Sequence, residues 1–383
     1  MKKILCVFGT RPEAIKMAPV VLALRARRRA FKTLVAVTAQ HREMLDQVLS
    51  LFRISADFDL DIMREGQTLT DVSVLGLRRL EPVLQKAKPD MVLVHGDTTT
   101  TLIATLAAYY QKIPVGHVEA GLRSFDALNP YPEEINRRLA DAVCALHFAP
   151  TAAARENLLR ENVSPKGIFV TGNTGLDALR LALANIRAGR FRSPRGRFRR
   201  FEREKFVLVT AHRRENFGKP LADFCRAVAD VARRRPEVHF VYPVHPNPHV
   251  LGPVRKFLSG PRNVHLLPPL DYPEFVLFLQ AAHLVLTDSG GLQEEAPSLG
   301  KPVLVLRKVT ERPEAVQAGT VKIIGTDTAV VRRWVLRLLE DRAVYRRMAN
   351  AVNPYGDGRA AGRIIEAISY YFQLSRTPPR PFH

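Results

Sequence analysis

The sequence predicts an α/β protein of two doubly wound domains, and three observations predict it. Short β-rich runs recur at 4–8, 33–38, 91–95, 115–118 and 146–149, and again at 206–210, 239–244, 264–267, 284–287, 303–306 and 321–324. Helical segments separate them, which is the pattern of βαβ units and parallel sheets covered on both faces. The series breaks once, around 172–205, where an amphipathic helix at 176–186 leads into an Arg-rich stretch punctuated by Gly and Pro. Right-handed crossovers on either side of the break then build two sheets. The domains are drawn at 1–172 and 173–357, with a C-terminal helix at 358–375 returning to the first domain and a loose tail at 376–383.

Length and composition fit this division. At 383 residues the chain exceeds one ordinary core, and 46% apolar residues with no long uninterrupted apolar run point away from a membrane partner. A strand that starts almost at Met1 leaves no room for a signal peptide, so a cytoplasmic location is expected. Cys6, Cys144 and Cys225 are far apart in apolar segments and read as buried, inert thiols. Lys plus Arg exceeds Asp plus Glu by 21, but much of the excess is the run from Arg187 to Arg203. That run reads as a solvated linker face, so nucleic acid is not expected as a partner.

The most informative stretch is TDSGGLQEEAPSLGKP at 287–302. A strand runs into Ser289, Gly290 and Gly291 and then into a helix opened by Gln293, Glu294 and Glu295. Orphan N–H groups and the macrodipole at a helix start attract phosphate, and glycines allow close backbone approach. Glu295 is spaced to reach ribose hydroxyls, so the segment reads as a nucleotide diphosphate site. The competing reading is an ordinary connection in which Ser289 caps the helix.

Other polar groups gather where strands end, which is where open α/β sheets bind ligands. Arg11 and Lys16 follow the first strand as phosphate partners, without the G-x-G-x-x-G of a dinucleotide site. Asp97, Glu119 and Glu133 end neighbouring loops; three carboxylates there would repel one another, which is how a general acid or base is tuned. His212, flanked by Arg213 and Arg214, ends a strand of the second half, and His245 in PVHP is a weaker candidate. No nucleophilic triad and no metal-ligand spacing competes with these groups.

Taken together, GTRPEAIKMAP, TAQHREMLDQVL, VHGDTTTTL, GHVEAGLRS, PYPEEINR, TAHRRENFG and TDSGGLQEEAPSLGKPVLVLR with TERPEAVQAGT closely resemble the non-hydrolysing UDP-N-acetylglucosamine 2-epimerases of bacteria and archaea. The likeness runs from the first strand to NPYGDGRA near residue 360. It implies two Rossmann-like domains in a GT-B-like arrangement, with the active site in the interdomain cleft, and a homodimer. It also implies reversible conversion of UDP-GlcNAc to UDP-ManNAc without NAD or an obligatory metal, by elimination of UDP to a 2-acetamidoglucal and re-addition, for cell-surface polysaccharide. By the same resemblance Asp97, Glu119 and Glu133 are acid–base carboxylates and His212 the leaving-group partner. Arg11, Lys16, Arg213, Ser289, Gly290, Gly291 and Glu295 match substrate-binding positions. Gln40, His41, Glu133, Arg213 and His245 match residues of an allosteric UDP-GlcNAc site. Glu43 and Gly66 depart from that site's pattern, which implies weaker or absent activation here. The alternatives are a GT-B glycosyltransferase and a hydrolysing epimerase that releases ManNAc.

Overall fold

The structure is a computed structural model that describes residues 1–38, 42–64, 66–190 and 195–383. It divides into two compact units, Met1–Leu181 with Tyr355–His383, and Ala182–Pro354. The first carries a parallel sheet of β1 (Lys2–Phe8), β2 (Phe31–Val37), β3 (Phe58–Asp59), β4 (Met91–His95), β5 (Val115–Val118), β6 (Leu146–Ala149) and β7 (Ile168–Val170), in the order β3-β2-β1-β4-β5-β6-β7. The second carries β8 (Phe206–Thr210), β9 (His239–Pro243), β10 (Val264–Leu267), β11 (Leu284–Thr287), β12 (Val303–Val305) and β13 (Val321–Ile323), in the order β10-β9-β8-β11-β12-β13. All eleven expected strands form, and β3 and β7 are additional. Those two span two and three residues, too short to leave a periodic signal.

Both units are Rossmann-like. Each sheet reverses its winding beside its first strand, between β1 and β4 and between β8 and β11. Loops on either side of a reversal diverge and leave a crevice at the carboxyl ends of the strands. Burial on both faces anchors these central strands: Ile4, Leu5, Cys6, Val7 and Phe8 are at most 1% exposed. In the second unit Val207, Val209 and Phe240 share a core with Phe224, Val228 and Val231 of helix Lys219–Arg234. Each such side chain contributes about 1.5–3 kcal/mol. The thiols of Cys6 and Cys225 are buried, and burial pushes both up to about 12.

Two segments differ from the sequence reading. The stretch around Arg199 is not a bare solvated linker: Phe198 and Phe201 are buried, and their rings meet Phe278 at 5.2 and 5.6 Å. Three-residue spacing puts both on one face, and Arg197 pairs with buried Glu274 at 3.2 Å. Nor is the C-terminal tail loose, because the Phe382 N–H donates to the Val170 carbonyl at 2.9 Å, on the edge strand β7. The Arg363 guanidinium lies 5.6 Å from the Phe382 ring. Helix Ala360–Tyr371 packs on helix Arg11–Ala26, and its start has no side-chain cap of its own. Asp177 supplies one, accepting the N–H groups of Ala360 and Ala361 at 3.1 and 2.9 Å.

Gly121 has a φ of +83°, and a Cβ there would lie 2.3 Å from the Ala154 carbonyl oxygen. Gly121→Ala is therefore expected to lower unfolding free energy by about 1–3 kcal/mol. A denaturant midpoint equal to that of the parent chain would contradict this close approach.

Candidate active site

In the first unit a buried carboxylate ties together two of the strand-end loops that carry candidate site residues. Glu13, 3% exposed, accepts the N–H groups of Gly9 and Thr10 at 3.0 and 2.7 Å and the Thr98 hydroxyl at 2.7 Å. It thereby joins the loop after β1 to the loop after β4. Burial raises its carboxyl above the usual range, and these hydrogen bonds oppose the shift.

Glu119 follows β5 with a left-handed φ of +67°, a conformation that non-glycine residues adopt only when their surroundings enforce it. Its N–H and that of Ala120 both donate to the Phe148 carbonyl, at 3.1 and 3.2 Å. Its carboxylate is ion-paired with Lys16 and accepts from Asn173 Nδ2 at 2.9 Å. Asp97 is ion-paired with Arg137, and its carbonyl accepts from Asn136 Nδ2 at 3.0 Å. Glu133 opens helix Glu133–Val143 with Oε2 buried and, among the described residues, without a hydrogen-bond partner. Its neighbour Glu134 turns into the protein and accepts the N–H groups of Ser124 and Phe125 at 3.0 and 3.2 Å.

The structure adds partners to the expected groups. Lys16, expected to meet a phosphate, is also ion-paired with Glu119. The acids do not simply repel one another, because Asp97 and Glu119 each have a separate cation.

Beneath them, His117 Nδ1 lies 2.6 Å from Asp141 Oδ1 and Nε2 lies 2.7 Å from the Gly96 carbonyl. Asp141 also accepts from Arg123 at 2.7 Å and from the Gly121 N–H at 3.2 Å. Burial opposes the Asp141 charge, but His117 and Arg123 outweigh it and bring the carboxyl down to about 2. His95 is 3% exposed, has no hydrogen-bond partner on either ring nitrogen among the described residues, and lies 3.8 Å from Glu119. Burial lowers it to about 3, more than the nearby Glu119 charge can offset.

In the second unit Asp288, fully buried, accepts the N–H groups of His212 and Arg213, both at 2.8 Å, and Asn216 Nδ2 at 3.1 Å. His212 is nearly parallel to His245, with ring centroids 5.6 Å apart. The expected helix after the glycines begins earlier, at Gly290, and spans Gly290–Glu295. Ser289 makes no side-chain cap; its N–H donates to Thr287 Oγ1 at 2.9 Å. A Cβ on Gly290 would lie 3.8 Å from a guanidinium nitrogen of both Arg213 and Arg312, and one on Gly291 would lie 3.9 Å from Glu295. Two cations thus stand over the glycine cradle, a setting for an anion. Arg312 is in turn held by Glu294.

Sequence reasoning did not single out Glu13, Arg137, Asp288, Asn216 or Arg312, although all lie in or beside the motifs it used. Arg11 starts the helix after β1 as expected. Gln40 and His41 lie outside the described residues. Gly66 has a φ of +76°, and no atom of the described residues lies within 4 Å of where its Cβ would stand. Among the described residues no helix is long and apolar enough to cross a membrane.

A family described as UDP-N-acetylglucosamine 2-epimerase matches residues 23–369. The chain belongs to this family. The UDP-N-acetylglucosamine 2-epimerase of Yersinia pestis is 55% identical over 373 residues, 96% of this chain and 98% of that one. A crystal structure of the Neisseria meningitidis UDP-GlcNAc 2-epimerase bound to UDP-GlcNAc superposes with a TM-score of 0.86 at 49% identity, covering 96% of this chain and 99% of that one. The Methanocaldococcus jannaschii UDP-GlcNAc 2-epimerase in complex with UDP-GlcNAc and UDP gives 0.78 at 33% identity, with the same coverage.

His95 makes the stability of this epimerase-family chain depend on pH. The unfolded chain binds a proton at this residue near pH 6.5, whereas the folded chain does so only near 3. Between those values the unfolded state holds more protons, so stability falls as pH drops. At pH 5 the loss is about 2 kcal/mol relative to neutral pH. His95→Asn is expected to remove about that much of the difference in unfolding free energy between pH 7 and pH 5; an unchanged difference would contradict it.

Proposed function

We propose that this protein interconverts UDP-N-acetylglucosamine and UDP-N-acetylmannosamine at C2 without hydrolysing them. The observation that carries this reading is that Asp97 and Glu119, on neighbouring strand-end loops, are each ion-paired with a separate cation. Each cation fixes the orientation of its carboxylate, which can then exchange a proton with a bound sugar from a preorganised frame.

The sugar C2 proton is not acidic by itself, because no carbonyl carbon adjoins it. Breaking the C1–O bond sends its electron pair to the β-phosphate of UDP and leaves positive character at C1. A carboxylate then takes the C2 proton, and the C2–H pair becomes the C1=C2 bond of a 2-acetamidoglucal. Re-addition reverses each transfer, with the proton delivered to the opposite face by a second carrier among Asp97, Glu119 and Glu133. Arg213 and Arg312 meet the departing diphosphate, Gly290 and Gly291 let the backbone approach it, and Glu295 reaches the ribose. His212 and Arg11 complete the anion's surroundings. This chemistry asks both sets of groups to act on one molecule and to keep UDP in place while the sugar is detached.

The reading also carries a homodimer in the cytoplasm. Tyr109, Tyr110, Leu139 and Tyr371 of the first unit are exposed and offer apolar surface for a second copy.

Incubation of the purified protein with UDP-GlcNAc and no acceptor is expected to give an equilibrium mixture of two UDP-sugars. Accumulation of free ManNAc and UDP would overturn the non-hydrolysing assignment, and unchanged substrate would overturn the activity. Glu119→Gln is expected to slow interconversion by about 10²–10⁴-fold while UDP binding persists.

A further inference from the structure

His212 has a partner whose second oxygen is still uncommitted. Asp288 Oδ2 is saturated by three donors, the N–H groups of His212 and Arg213 and the Asn216 amide. Oδ1 is buried with no hydrogen-bond partner among the described residues and lies 3.6 Å from His212 Nδ1. A buried carboxylate oxygen without a donor is costly, and the His212 ring can remove that cost by a small movement.

We propose that Asp288 is a positioning residue for His212: when a diphosphate binds, its Oδ1 accepts a hydrogen bond from His212 Nδ1–H, and Nε2–H is left as the donor that faces the leaving group. The inference rests on the UDP reading of the glycine cradle. A His212 ring that donates to Asp288 through Nδ1 is fixed in orientation, and a second proton on the ring is steadied by the carboxylate.

The groups that face His212 are Asp288 from the loop after β11, His245 from the loop after β9, and its own neighbour Arg213. His245 Nδ1 accepts the Asn247 N–H at 3.2 Å, so the proton of a neutral His245 ring sits on Nε2. In the free protein, burial first and then His245 and Arg213 hold the His212 imidazolium down, against the pull of Asp288. A bound diphosphate offsets Arg213 and adds negative charge on the open side of the ring, so that Asp288 prevails.

The test uses the full chain with ¹⁵N-labelled histidine, with the His212 signals identified by their loss in His212→Asn. Ring shifts are followed against pH with and without UDP, and UDP affinity is measured by calorimetry. Saturating UDP is expected to raise the His212 midpoint and to slow exchange of its Nδ1 proton. Asp288→Asn preserves the oxygen that accepts from His212, Arg213 and Asn216 but presents an amide N–H to Nδ1. The UDP-bound midpoint is then expected to fall by about 1–3 pH units. With UDP-GlcNAc, kcat is expected to fall by about 10²-fold or more, with KM little changed.

A UDP-bound midpoint that is the same in both chains overturns the inference while the UDP reading stands. A wild-type chain that binds no UDP overturns both. Should Asp288→Asn fail to fold, the wild-type titration decides alone: a midpoint that saturating UDP leaves unmoved, with a freely exchanging Nδ1 proton, overturns the proposal.

Discussion

Buried carboxylates that accept backbone N–H groups hold the loops after β1, β5 and β8. Glu13 binds the N–H groups of Gly9 and Thr10, Glu134 those of Ser124 and Phe125, Asp141 that of Gly121, and Asp288 those of His212 and Arg213. Loops that leave a sheet at its carboxyl edge have no ladder partners, and a buried N–H needs some acceptor. A charged acceptor supplies roughly 1.5–3 kcal/mol per bond and, unlike water, fixes direction. The candidate residues Glu119 and His212 therefore stand on loops whose backbone is held before any ligand binds.

Topology decides which loops meet. The winding reverses between β1 and β4 in one unit and between β8 and β11 in the other. The helix after β1 delivers Lys16 to Glu119, which follows β5, while Asn173 comes from beyond β7. In the second unit, the loop after β8 brings His212 and Arg213 to Asp288 and Gly290 beyond β11. Glu119 keeps a left-handed backbone in that setting, the kind of local strain that surrounding structure must hold.

Much of this was legible in the sequence. The alternation of apolar runs gives every central strand, and the polar motifs fall at their carboxyl ends. What stayed hidden has common causes. Glu133 and Glu134 are adjacent and chemically alike, and only the fold turns Glu134 into a backbone cradle while Glu133 is left half-buried outside it. Asp288 stands in the motif that was read for its glycines, yet its role depends on a strand 76 residues away. The partner of Lys16 depends on strand order, which no local pattern encodes. Phe198 and Phe201 were masked by the arginines around them, although their spacing marks a common face. The tail docks because β7 is an edge strand, a fact of the assembled sheet alone.

The most direct test follows the C2 hydrogen by proton NMR while UDP-GlcNAc turns over in D₂O. Two proton carriers on opposite faces of the sugar require that UDP-ManNAc form with solvent deuterium at C2, from the first turnover onward. A product that retains the original C2 proton would contradict proton transfer through these carboxylates and, with it, the elimination route.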